Sequence, residues 1–145
     1  MTDTDFLKRG YRISTDNRLL NVELIHQYLN AESYWAKGIS AEKVRTAIDH
    51  SLCFGIYYHN NQAGFARVIT DQATFAYIGD VFVLPVYRGA GLSKWLMQTI
   101  KDHPDLQGLR RWILATADAH GLYSQFGFTL MARPERWMEI FTPYQ

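Results

Sequence analysis

The stretch VFVLPVYRGAGLSKWLMQTI, Val81 to Ile100, limits the chain more than any other. Phe82, Val83 and Leu84 are apolar in a row, as expected of a strand covered on both faces. Pro85 has no N–H to give a ladder and ends it. Arg88-Gly89-Ala90-Gly91-Leu92-Ser93 follows, where glycine lets bare backbone approach a ligand and Ser93 can serve a helix start. Leu92, Trp95, Leu96, Thr99 and Ile100 then recur at helical spacing, with Lys94, Gln98 and Lys101 on the other side. A glycine turn feeding a helix N-terminus offers unpaired N–H groups at the positive end of the dipole, an anion site suited to phosphate.

Three phosphate-binding patterns compete for this turn. A P-loop requires glycine-lysine-hydroxyl at its end, whereas here Lys94 follows Ser93 and precedes Trp95. A dinucleotide fingerprint requires a third glycine, and Leu92-Ser93-Lys94 supplies none. The third is [RQ]-x-x-G-x-[GA], in which Arg88, Gly91 and Ser93 hold the fixed positions, serine departing at the last. It is preceded by Val83-Leu84-Pro85-Val86-Tyr87-Arg88-Gly89, and some thirty residues on stands Tyr123-Ser124-Gln125-Phe126-Gly127-Phe128. These elements, in this order, resemble the pyrophosphate loop, its V-x-P-x-x-R-G approach and the tyrosine–Gly-Phe element of the GNAT superfamily of acyl-CoA N-acyltransferases. The resemblance covers about residues 53–142.

The chain has 145 residues and a formal net charge of +1. One domain spanning 1–145 is expected, burying about 68–70% of its unfolded surface. So small a net charge argues against broad capture of nucleic acid or membrane. The lone Cys53 excludes an intramolecular disulfide framework and fits a reducing compartment. With no long apolar run or leader-like start, a cytoplasmic protein is expected. The five histidines show no metal-ligand spacing, so no metal is expected.

In order, Tyr11-Arg12-Ile13 reads as an edge strand, and Asp16 as the cap of a helix running to about Leu29. Ala31–Gly38 is a loop carrying Tyr34 and Trp35; Ser40 opens a second helix with Val44, Ala47 and Ile48 inward. Leu52–Tyr58, Ala63–Thr70 and Ala73–Leu84 form an antiparallel meander that runs into the glycine turn. Arg111–Ala115 is a strand reached through a helical crossover, hence parallel to its neighbour. Asp118 caps a short helix through Tyr123, and Phe128–Ala132 with Trp137–Phe141 closes the sheet as a hairpin around Arg133-Pro134-Glu135. The resemblance implies an α/β (α+β) GNAT fold: a mixed, mostly antiparallel twisted sheet of six to seven strands flanked by about four helices.

It further implies acetyl-CoA as co-substrate and an amine acceptor; the minimal chain, with no added peptide-recognition module, points to a small molecule, and a protein or peptide amine is the alternative. The turn Arg88–Ser93 (Arg88, Gly89, Ala90, Gly91, Leu92, Ser93) would hold the pyrophosphate, with Arg88 and Lys94 as charge partners. Backbone around Phe82 and Val83 would bond the pantetheine arm as an added strand does. Tyr123 matches the family tyrosine that protonates the departing thiolate; a phenol, titrating near 10, keeps its proton until then. The general base stays open. Spermidine/spermine acetyltransferases carry a glutamate before an aspartate where this chain has Gly79-Asp80, and strand alternation turns Asp80 away from that position unless a bulge re-aims it. Asp80 ranks ahead of His120 and Tyr77, and a mechanism without a dedicated base is also open. Tyr34, Trp35 and Tyr77 are candidate acceptor-pocket walls; for Tyr34 and Trp35, wedging two helices together is the alternative. A non-catalytic acyl-CoA-binding module and a homodimer are left open.

Overall fold

The computed structural model describes residues 1–145. A five-stranded sheet runs in the order β1 (Tyr11–Ser14), β2 (Leu52–Tyr58), β3 (Asn61–Thr70), β4 (Phe75–Val83), β5 (Arg111–Leu114). The first four strands are antiparallel and β4–β5 is parallel. Helices α1 (Asp3–Lys8), α2 (Val22–Gln27), α3 (Ala41–Asp49), α4 (Leu92–Asp102) and α5 (His120–Ser124) complete it.

Alternation along the strands sorts the apolar residues into two cores, one on each face. Phe54, Ile56, Ala66, Val68 and Ile78 pack under Leu92, Leu96 and Ile100 of α4, together with Tyr123. On the other face Cys53, Phe65 and Phe82 meet Ile25, Leu29, Val44 and Ile48 of α2 and α3. Ser40 caps α3 by accepting the Lys43 N–H at 3.1 Å. Cys53 is buried with its thiol pushed up to about 12 by desolvation, which leaves it a packing residue.

A β-bulge in β4 sets the geometry of everything downstream. Arg67 of β3 lies opposite Gly79 and Phe65 opposite Phe82, so Asp80 and Val81 together face Ala66 alone. Asp80 takes the left-handed conformation at φ 54°, tolerable for aspartate. The face parity therefore inverts: Ala76 and Ile78 join the α4 core, but beyond the bulge Val83 does so and Phe82 turns to α2 and α3.

Four sequence expectations need correction. The sheet has five strands instead of six to seven, because Phe128–Ala132 and Trp137–Phe141 form no ladder. The only backbone bonds donated between residues 129 and 145 are those of one 3₁₀ turn, from Arg136 to Arg133 and from Trp137 to Pro134, and Met138 and Ile140 point to solvent. Side chains hold the tail instead, with the Arg111 guanidinium 4.9 Å from the Trp137 ring centroid. Asp16 caps only a 3₁₀ turn, Asn17–Leu19; Asn21 caps α2, accepting the Leu24 N–H, and the chain continues as a π turn, Tyr28–Glu32. Asp118 does not cap α5: the helix starts after Ala119 with no side-chain cap, and the Ala119 N–H goes to the Thr116 hydroxyl at 3.0 Å.

Finally, α1 was not foreseen. Its Phe6 stacks on Trp95 at 4.3 Å and Asp3 accepts the Trp95 indole N–H. Phe6→Ala is expected to destabilise the fold by about 3 kcal/mol, the usual cost of emptying a buried ring's site. Urea unfolding would measure it; a loss under about 1 kcal/mol would mean that α1 packs without contributing.

Candidate active site

β4 and β5 pair only over Phe75–Ile78 and Arg111–Leu114. β4 runs on to Val83 while β5 stops, so beyond Ile78 the β4 edge loses its neighbour and a wedge opens. Leu84 donates to Ala63 of β3 at 2.8 Å. Alternation then points the Val83 backbone to the open side; consistently, the Val83 carbonyl accepts the Arg88 Nε–H at 2.9 Å. Phe82 is turned the other way, its backbone against β3 and its ring stacked on Tyr28 at 4.0 Å. Val81, which sequence reading passed over, has the parity of Val83 and faces the wedge.

At the far end lies the glycine turn. The first bond of α4 runs from the Trp95 N–H to the Gly91 carbonyl, and the amides of Gly89 through Lys94 bond to nothing in the chain. Gly91 sits at φ 84° as the N-cap, a conformation that aims these donors outward and that other residues adopt at a cost. A hollow of about 310 Å³ is lined by Val83, Arg88, Gly89, Gly91, Ser93 and Lys94 among others. Ala90 adds its amide while its methyl packs on the core. The Arg88 side chain is largely committed: it bonds the Val83 carbonyl and the Tyr28 hydroxyl, at 3.1 Å, so it locks the turn to the end of β4. Lys94, which has no partner within the chain, is the free cation of this hollow.

A second hollow of about 440 Å³ occupies the wedge, floored by Gly79, Asp80 and Val81 and roofed by Ala115–Ala119, Tyr34, Trp35 and Tyr123. The two follow one another along the same elements, Val81 then Val83 on β4 and Tyr123 then Leu122 on α5. Tyr123 is nearly buried. Gly127 in the left-handed region closes α5 with bonds from its own N–H to Ser124 and from Phe128 to Tyr123. That C-cap folds Phe128 back edge-on to the Tyr123 ring at 6.1 Å, which accounts for the spacing of tyrosine and Gly-Phe. Burial first, then the neighbouring Tyr34 and Asp118, pushes the Tyr123 phenol above its ordinary value.

The bulge re-aims Asp80. Its carboxylate lies on the face of Arg67 and accepts the Arg67 Nε–H at 2.8 Å and the Trp35 indole N–H at 3.0 Å. Arg67 also donates to the Ser51 hydroxyl. Both carboxylate oxygens are thus engaged, by Arg67 and by Trp35, an arrangement that orders the floor of the hollow. Tyr77 lines the same hollow, and its ring would lie 3.0 Å from a β-carbon at Gly79, so it fills the place where a glutamate would project. His120 is exposed and outside the hollow. Asp118, read from sequence as a cap, lines it instead, and its carboxylate accepts no hydrogen bond. Tyr34 accepts the Ala117 N–H at 2.9 Å, so the Tyr34–Trp35 loop bridges α2–α3 to both walls of the wedge. It therefore both walls the hollow and ties elements together.

No group of three His, Cys, Asp or Glu is placed to hold a metal ion, and no helix is long and apolar enough to cross a membrane.

A parallel pair splayed beyond a bulge, with a glycine turn at a helix N-terminus, defines a GNAT-type acyltransferase fold. The chain belongs to the acetyltransferase (GNAT) family, whose family model matches residues 22–128. A solved structure from Xanthomonas campestris pv. campestris, described as a "putative acetyltransferase belonging to the gnat family", is 56% identical with a TM-score of 0.90, over 92% of this chain and 94% of that one. "Putative acetyltransferase FG08082" of Gibberella zeae is 33% identical over 143 residues, 83% of this chain and 80% of its own length. A "predicted acetyltransferase with acetyl-CoA" from Clostridium acetobutylicum shares the fold at 14% identity, with a TM-score of 0.67 over 90% of this chain and 94% of that one.

Proposed function

We propose that this protein moves the acetyl group of acetyl-CoA to the amine of a small molecule by direct attack. The observation that carries the reading is the succession of the two hollows along β4 and α5, one beside the unpaired amides at the start of α4 and the other reaching Tyr123. The amides of Gly89–Lys94 suit a pyrophosphate, with Lys94 adding charge. Val83 and Val81 present main-chain groups to an extended arm, and a Val81 or Val83 N–H suits the oxyanion of a tetrahedral intermediate. That acetyl-CoA accompanies the similarly folded C. acetobutylicum protein supports the choice of donor.

The acceptor enters as an ammonium and loses one proton before attack. Its nitrogen bonds to the thioester carbonyl, the C–S bond breaks, and Tyr123 gives a proton to the departing thiolate. The second proton from nitrogen restores the phenol, so the net release is one proton. With the oxygens of Asp80 occupied, the first proton passes to water, while Asp80 holds the floor. A small acceptor is favoured because the tied Tyr34–Trp35 loop roofs the hollow, leaving little room for a folded protein surface.

The test is thermal unfolding with acetyl-CoA against ATP and NAD, followed by thiol release with amines. Acetyl-CoA at a hundred times its Kd stabilises by about 2.7 kcal/mol, roughly 5–10 °C at this length. No shift at millimolar acetyl-CoA overturns the donor site. A shift without acceptor-dependent thiol release would instead indicate an acyl-CoA-binding module, the reading that Gly79 in the place of the acid favours.

A further inference from the structure

Resting on that reading, we propose that the acceptor is a cationic amine on a hydrocarbon or aromatic body, without an acidic group of its own, and that Asp118 anchors its ammonium. The charged lining of the larger hollow consists of Arg67, Asp80 and Asp118. The first two cancel: they pair at 2.8 Å with side chains only 19% and 11% exposed, and Trp35 and Ser51 take further bonds. Asp118 is left as the uncompensated charge. Its main-chain N–H reaches the Thr116 hydroxyl at 3.4 Å, but its carboxylate has no donor in the chain.

The hollow therefore carries a net negative charge at its mouth, where an ammonium is attracted and an anion repelled. Its walls agree. Tyr34 and Trp35 stand edge to face at 5.0 Å, Tyr77 lies beside Gly79, and Tyr123 closes the inner end. Aromatic faces stabilise an ammonium and bury an apolar body. Against this, an acceptor carboxylate or phosphate would find no uncompensated cation: the charge of Arg67 is matched by Asp80, and Lys94 lines the other hollow. An anion placed there faces the Asp118 carboxylate with no surplus positive charge to offset it. Amino acids and phosphorylated amino sugars are thereby rejected, not merely unrecognised.

The probes are 2-phenylethylamine and phenylalanine, which differ by one carboxylate, with glucosamine 6-phosphate and a lysine peptide, all assayed by thiol release at saturating acetyl-CoA. We expect kcat/KM for 2-phenylethylamine to exceed that for phenylalanine by at least about 100-fold. Asp118→Asn should raise the 2-phenylethylamine KM about tenfold with a smaller change in kcat, and Asp118→Glu should recover most of the loss. The acetyl-CoA thermal shift of each variant reports folding and donor binding independently. Comparable turnover of phenylalanine, release only with the phosphorylated sugar or the peptide, release with none of the four, or an Asp118→Asn enzyme with unchanged KM each overturn the inference while leaving the transferase reading to its own test. Absence of an acetyl-CoA shift in the parent protein overturns both.

Discussion

Tyr123→Phe is expected to lower kcat by about 10²-fold or more, the range that a positioned general acid contributes, while leaving the affinity for acetyl-CoA nearly unchanged. The ring is held on one side by the α5 C-cap and on another by Phe128. Phenylalanine preserves both, so the variant removes an oxygen and little else. The parent enzyme should also show no loss of kcat on the alkaline side below about pH 10. The phenol's ordinary value is 10.0, and burial with nearby Tyr34 and Asp118 raises it further, so the protonated form persists past that point. Below it, rate should instead climb with pH as more of the acceptor loses its proton. An unchanged kcat in Tyr123→Phe, measured with an efficient acceptor, removes Tyr123 from the chemistry and leaves it a packing residue.

The position of Tyr123 was readable from sequence because its constraints are local. A short helix, a left-handed glycine and a returning phenylalanine fall within a few residues, as do the cap at Ser40 and the glycine turn before Trp95. Strands β2 and β3 were legible for a similar reason, their turn sitting at His59 in the left-handed region between two apolar runs. What escaped was non-local. At the Asp80–Val81 bulge the re-aimed carboxylate is taken by Arg67, thirteen residues earlier, and no periodicity in β4 announces this. Asp118 sits where a helix cap is expected, but α5 begins only after Ala119, with no side-chain cap, and the Asp118 carboxylate lines the hollow instead. Helix α1 offers just Phe6 as an inward residue, and its stability derives from Trp95, far along the chain. The tail failed for a different reason: apolar alternation over Trp137–Phe141 looks like a strand, but Met138 and Ile140 remain outside any core.

Gly91→Glu is expected to weaken acetyl-CoA binding by more than about 100-fold, and Gly91→Ala by about tenfold. The two differ in charge more than in strain. Both must adopt φ 84°, a left-handed conformation costing a residue with a β-carbon roughly 1–2 kcal/mol, and tenfold in affinity is about 1.4 kcal/mol. Space is not the obstacle, since a β-carbon there would rest 3.7 Å from the Phe6 ring, an ordinary contact. Glutamate additionally carries a carboxylate into the group of unpaired amides, where it competes with a pyrophosphate for the same donors and repels it. Titration calorimetry with acetyl-CoA separates the effects, because the alanine variant reports the backbone cost alone. Raising the salt concentration should narrow the gap between the variants, as screening weakens a repulsion but leaves strain untouched. Equal affinities for the glutamate and alanine variants would mean that no phosphate sits at this turn, and the assignment of the smaller hollow to the donor would fall with it.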